Sequence, residues 1–114
     1  MAGGISLHAV DVARGIPAIG MRVEIARLSP TRKVIAEAVV QPNGTIDHPV
    51  VTGAGVIAGP HEALFFVGDF YKGSDMASPF LDQVPFQFVI FDEDLHYHLP
   101  IKFTPWGFSL YRGA

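Results

Sequence analysis

Turn-forming residues interrupt this chain roughly every 8 to 12 residues, a spacing that suits short strands and leaves little room for helices. Nine prolines and twelve glycines are spread through 114 residues. Proline removes a hydrogen bond from a helix interior, and glycine adds an entropic cost there. Between the turns the side chains alternate with a period of two. In the first such stretch Ile5, Leu7, Ala9 and Asp11 fall on one face, and Ser6, His8, Val10 and Val12 on the other. Further strands are predicted over 22–28, 34–41, 45–51, 62–67, 86–91, 96–104 and 108–112. The segment 69–78 lacks this period and suits one short helix. The expected fold is all-β, a two-sheet antiparallel β-sandwich of seven to eight strands with one short helix. One domain should span 1–114, near the common size for a single core.

Composition narrows the function. Hydrophobic residues make up 49% of the chain and charged residues 17%, which argues against disorder. The formal net charge is −3, with no basic run, so no nucleic-acid partner is expected. No cysteine is present, which removes disulfides and thiolate chemistry together. The N-terminal run shows no secretory signal, and no apolar stretch reaches the roughly 18 residues of a membrane span. A soluble, cytoplasmic protein without a membrane partner is expected. The surplus of apolar residues points to a face covered by another subunit. The strand 86–91, apolar on both faces, is the clearest instance.

The chemistry concentrates at the C-terminal end. His96 and His98 flank Tyr97, so a strand would place both imidazoles on one face. Imidazole titrates near pH 6.5 and serves as a general acid or base; equally, a surface histidine can be purely structural. His8 lies on another strand. Three imidazoles that converged would suggest a catalytic zinc site. The pattern offers no further ligand, and no metal or cofactor is assigned. The acidic run Asp92–Asp94 reads as a solvated turn. Gly53-Ala54-Gly55 leads into no helix, so it is not a phosphate loop.

Two segments carry a family likeness. Leu7-His8-Ala9-Val10-Asp11 runs on to Gly15-Ile16-Pro17-Ala18, and His96-Tyr97-His98-Leu99-Pro100 is followed by Ser109-Leu110-Tyr111-Arg112-Gly113. In this order and spacing the chain resembles the transthyretin-like proteins, and among them the 5-hydroxyisourate hydrolases, over nearly its whole length. The resemblance implies a transthyretin-like sandwich with a short helix after the fifth strand. It also implies a homotetramer, a dimer of dimers, with sites in the channel at the dimer–dimer interface. The implied reaction opens the six-membered ring of a small-molecule substrate, 5-hydroxyisourate, with an activated water.

The family's catalytic set comprises two histidines, an arginine after a turn and a terminal serine. His8 and His98 match the histidines. The arginine position falls on Thr45 and the serine position on Ala114. His96, Tyr111 and Arg112 complete the expected substrate-binding surroundings. Replacing arginine by threonine removes a fixed charge and a fork of donors. Losing one such hydrogen bond costs about 1.5–3 kcal/mol. Both replacements make a pocket larger and less polar. That favours an N-methylated 5-hydroxyisourate, such as the trimethyl compound, as substrate in methylxanthine catabolism. The competing expectations are 5-hydroxyisourate itself, with His48 or Arg112 compensating, and a non-catalytic small-molecule binding protein of the transthyretin type.

Overall fold

The computed structural model describes residues 3–77 and 80–113. Eight strands run in the order β1 (Ile5–Asp11), β2 (Ile16–Pro17), β3 (Arg22–Arg27), β4 (Lys33–Val39), β5 (Gly59–Phe65), β6 (Val84–Ile90), β7 (Tyr97–Thr104) and β8 (Gly107–Leu110). They form two four-stranded sheets, β2-β1-β7-β8 and β4-β3-β5-β6. A two-sheet sandwich of eight strands with one short helix is therefore the observed architecture. The helix α1 (Val67–Tyr71) follows β5 and starts two residues before the predicted segment.

Two expectations need correction. The sandwich is not wholly antiparallel, because β1 and β7 pair in parallel, with Ser6 opposite His98 and His8 opposite Pro100. Local alternation is the same for either pairing sense, so the sequence pattern could not distinguish them. The second concerns 45–51. In place of a strand, a 3-10 turn spans Pro49–Thr52, with the His48 imidazole as its N-cap. Proline at the first position of the turn has no N–H to pair, and His48 Nδ1 accepts the Val50 N–H at 2.9 Å.

The alternation in β1 determines its two faces as expected. Ile5, Leu7, Ala9 and Asp11 are buried against the second sheet, while Ser6, His8 and Val10 are partly exposed on the outer face. β7 repeats the pattern, with Tyr97, Leu99, Ile101 and Phe103 inward and His98, Pro100 and Thr104 partly exposed. These inward residues join Val23, Ile25, Ala63 and Phe65 in one core. Each large apolar side chain so buried contributes about 1.5–3 kcal/mol. The outer face of β1 and β7 is thereby free to carry polar chemistry on a rigid backing.

Asp11 is the exception on the inward face, a carboxylate with 0% exposure. It is satisfied where β1 ends. The Tyr71 hydroxyl donates to Oδ1, and Arg14 donates to Oδ2 at 3.1 Å. The Tyr71 ring packs edge-on against Phe103 and Phe70. Burial, followed by the bond to Asp11, holds the phenol in its protonated, donating form. This contact ties α1 to the end of β1.

Candidate active site

Four segments meet on the outer face of the β2-β1-β7-β8 sheet. β1 supplies Ser6 and His8, and β7 supplies His98, with His96 just before it. The turn 41–45 closes over His8. The Gly44 carbonyl accepts the Ala9 N–H at 2.9 Å, which staples the turn to β1. The C-terminal tail closes over His98, where Gly113 N–H donates to the His98 carbonyl at 2.7 Å.

Both closures need glycine. A Cβ on Gly44 would lie 2.7 Å from His8 Nε2, and Gly44 has φ +87°. A Cβ on Gly113 would lie 2.9 Å from Pro100 Cγ and 3.1 Å from His98 Cδ2. Gly44→Ala combines left-handed strain of roughly 1–2 kcal/mol with a displaced imidazole. Urea denaturation should show that loss of stability. Any turnover that depends on His8 should fall by more than the unfolded fraction explains.

His98 is held at one of its two ring nitrogens. Its Nδ1 lies 2.8 Å from Ser6 Oγ, so Nε2 is the nitrogen left to face a substrate. Its pKa is lowered, first by burial and then by the neighbouring His96 and His8. The lowering keeps it an unprotonated base at neutral pH. His96 is held at both nitrogens. Nε2 lies 2.7 Å from the same Ser6 Oγ, and Nδ1 bonds the Gly3 carbonyl. His96 and His98, equivalent in sequence spacing, thus differ in hydrogen bonding.

Thr45 follows Gly44 in the stapled turn. Its hydroxyl donates to Asn43 Oδ1 at 2.7 Å, so it presents neither a charge nor a free proton. Tyr111 is exposed on the tail. The Arg112 guanidinium stacks 4.7 Å from the Tyr97 ring centre and 5.7 Å from that of Phe91, and donates to the His96 carbonyl at 3.1 Å. Its charge therefore rests on the edge of the site. Ala114 lies outside the described residues. His48 is committed to its cap. Among the described residues, no three histidine or acidic side chains gather as metal ligands. Ser6 escaped the sequence reading. Its position two residues before His8, on the same face, was the available signal. A separate cleft of about 580 Å3, lined by residues including Arg22, Phe66, Asp69, Lys72 and Asp82, contains none of these imidazoles.

Residues 5–113 match the model of the HIUase/Transthyretin family. The chain belongs to the HIUase/transthyretin family. Several of its relatives carry an enzymatic name. A 5-hydroxyisourate hydrolase of Deinococcus radiodurans is 40% identical over 114 residues, covering 97% of this chain and 96% of that one. Among solved structures, the 5-hydroxyisourate hydrolase of Klebsiella pneumoniae is 28% identical with a TM-score of 0.83, covering 100% of each chain. A structure of (S)-allantoin synthase is 35% identical with a TM-score of 0.87 and covers 99% of this chain. This chain spans 44% of that longer protein. Its outer sheet face carries His8 and His98, and Thr45 follows Gly44 in the turn that closes over His8.

Proposed function

We propose that this chain is a hydrolase that opens the six-membered ring of 5-hydroxyisourate-type substrates, with an N-methylated 5-hydroxyisourate preferred. The observation that carries this reading is the pair His8 and His98 on one outer face. There His8 helps to lower the pKa of His98, and His98 keeps Nε2 open. The enzymatic name shared by full-length relatives supports the reaction class. His98 takes a proton from water as the water oxygen attacks a ring carbonyl. His8 assists proton transfer to the departing ring nitrogen as the C–N bond breaks. No cofactor is required for this step.

The preference rests on Thr45. An arginine there would present donors to substrate oxygens and occupy more space. Threonine with its proton tied to Asn43 makes no such demand. An N-methylated ring has fewer N–H donors and more bulk, which fits that opening. Tyr111 and Arg112 complete the substrate surroundings, with Arg112 leaving its ring stack to reach an anion, and His96 acts behind them through Ser6.

A cytoplasmic homotetramer, a dimer of dimers, fits the same reading. Ile16, Phe91, Trp106, Phe108 and Tyr111 are large apolar side chains between 48% and 66% exposed. A second copy facing the imidazole surface would turn it from open sheet into an enclosed channel.

The test is a decay assay. 5-Hydroxyisourate and its trimethyl analogue are generated in situ from the corresponding urates, and ring opening is followed with and without the protein. Accelerated decay with preference for the methylated compound is expected. Thr45→Arg combined with Ala114→Ser should shift preference towards the unmethylated compound. Decay of neither compound above background would overturn the hydrolase reading.

A further inference from the structure

The hydrogen bonds around Ser6 have one consistent direction, and it starts at a backbone carbonyl. The Gly3 oxygen can only accept, so the His96 nitrogen bonded to it, Nδ1, must carry a proton. A neutral imidazole carries one proton, which leaves His96 Nε2 as an acceptor. Ser6 lies 2.7 Å from that nitrogen and must donate its single hydroxyl proton there. Its oxygen is then left to accept from its other partner, His98 Nδ1, at 2.8 Å. His98 Nδ1 therefore carries the proton, and the lone pair sits on Nε2.

We propose that Ser6 is a positioning residue that fixes the base form of His98, holding the proton on Nδ1 and the lone pair on Nε2 towards the substrate face. The inference deepens the hydrolase reading and rests on it for its catalytic meaning. A general base needs its free nitrogen aimed at the water it deprotonates, and the partner of the other ring nitrogen decides which one is free. Ser6 fills the place that a carboxylate often takes beside a catalytic histidine. A serine hydroxyl can donate or accept with equal ease, so it cannot choose the tautomer by itself. His96 and the Gly3 carbonyl make that choice.

Their geometry is well supported. Gly3 is positioned by its N–H bond to the Glu93 carbonyl at 3.0 Å. A side chain at residue 3 is sterically barred, since a Cβ there would lie 1.8 Å from the Leu95 carbonyl oxygen. Ser6 and His98 are register partners in the parallel β1–β7 pair, so their contact is set by the sheet. His96 contributes to the site with no need to touch substrate. Removing its imidazole would free the Ser6 hydroxyl to donate to or accept from His98, so that both tautomers form.

The test reads the tautomer directly and does not depend on identifying the substrate. Side-chain 15N spectra of the full chain are recorded at about pH 8, well above the ordinary imidazole pKa of about 6.5. The expected result for the native protein is a protonated His98 Nδ1 and a bare Nε2. Ser6→Ala and His96→Phe should each mix the two tautomers, and Ser6→Thr should keep the native one. Folding of each variant is checked by its backbone amide spectrum. On a substrate that the native protein turns over, Ser6→Ala and His96→Phe should lower kcat about 10-fold or more with little change in KM. Ser6→Thr should recover most of that loss. A native His98 protonated at Nε2 overturns the proposal, as does a tautomer unchanged in both Ser6→Ala and His96→Phe. Absence of turnover in the native protein would count against the hydrolase reading alone, because the spectra still decide the role of Ser6.

Discussion

Replacing His98 by asparagine is expected to lower kcat/KM for ring opening by about 10²- to 10⁴-fold, the usual contribution of a positioned general base. Asparagine keeps a polar group near Ser6 but has no titratable lone pair. The fold should survive, because His98 faces outward while Leu99 and Ile101 carry the burial of β7. The pH profile offers a second reading. Burial and the two neighbouring imidazoles lower the His98 pKa, so its base form persists below the ordinary value of about 6.5. The acid limb of kcat/KM should therefore fall below that pH in the native protein. His8→Gln removes one of the neighbours that disfavour the imidazolium, and any residual activity should have its acid limb shifted upwards. Full turnover in a folded His98→Asn variant would remove the residue from the mechanism.

The largest effect on stability is expected at Asp11. Asp11→Ala should destabilise the fold by about 3 kcal/mol. The change leaves the buried Tyr71 hydroxyl without its acceptor, at about 1–3 kcal/mol, and adds a small cavity. Arg14 is less costly, since its side chain is 31% exposed and can turn to water. Tyr71→Phe removes the same bond from the other side and should cost about 1.5–3 kcal/mol, the value for a bond to a charged group. The two losses should be strongly non-additive, because both variants delete one interaction. Urea denaturation should show a lower midpoint at unchanged slope for each. An Asp11→Ala midpoint equal to that of the native chain would contradict the network.

The two residues differ in how plainly the sequence displays them. His98 stands out because His-x-His in an alternating stretch puts two imidazoles on one face, and alternation is a local property. Asp11 could be assigned to the inward face by counting from Ile5, but its partner Tyr71 lies sixty positions away on another element. The run 45–51 misled for a related reason. Its side chains allow a strand, yet Pro49 and the capping His48 favour a tight turn, and backbone pairing outweighs intrinsic strand preference.

What the sequence determined by itself is the inward face of β1 and β7, several of the turns and the family to which the motifs point. Each depends on neighbours a few positions apart, where covalent geometry controls direction. Tertiary structure alone decided that β1 and β7 run parallel, and hence that Ser6 lies beside His98. It also decided that Gly44 closes over His8, and that a carbonyl at Gly3 directs a chain of hydrogen bonds to His98. Those contacts join segments up to 93 positions apart. Their direction follows from which groups can only accept, and the pairing of the sheets brings those groups together.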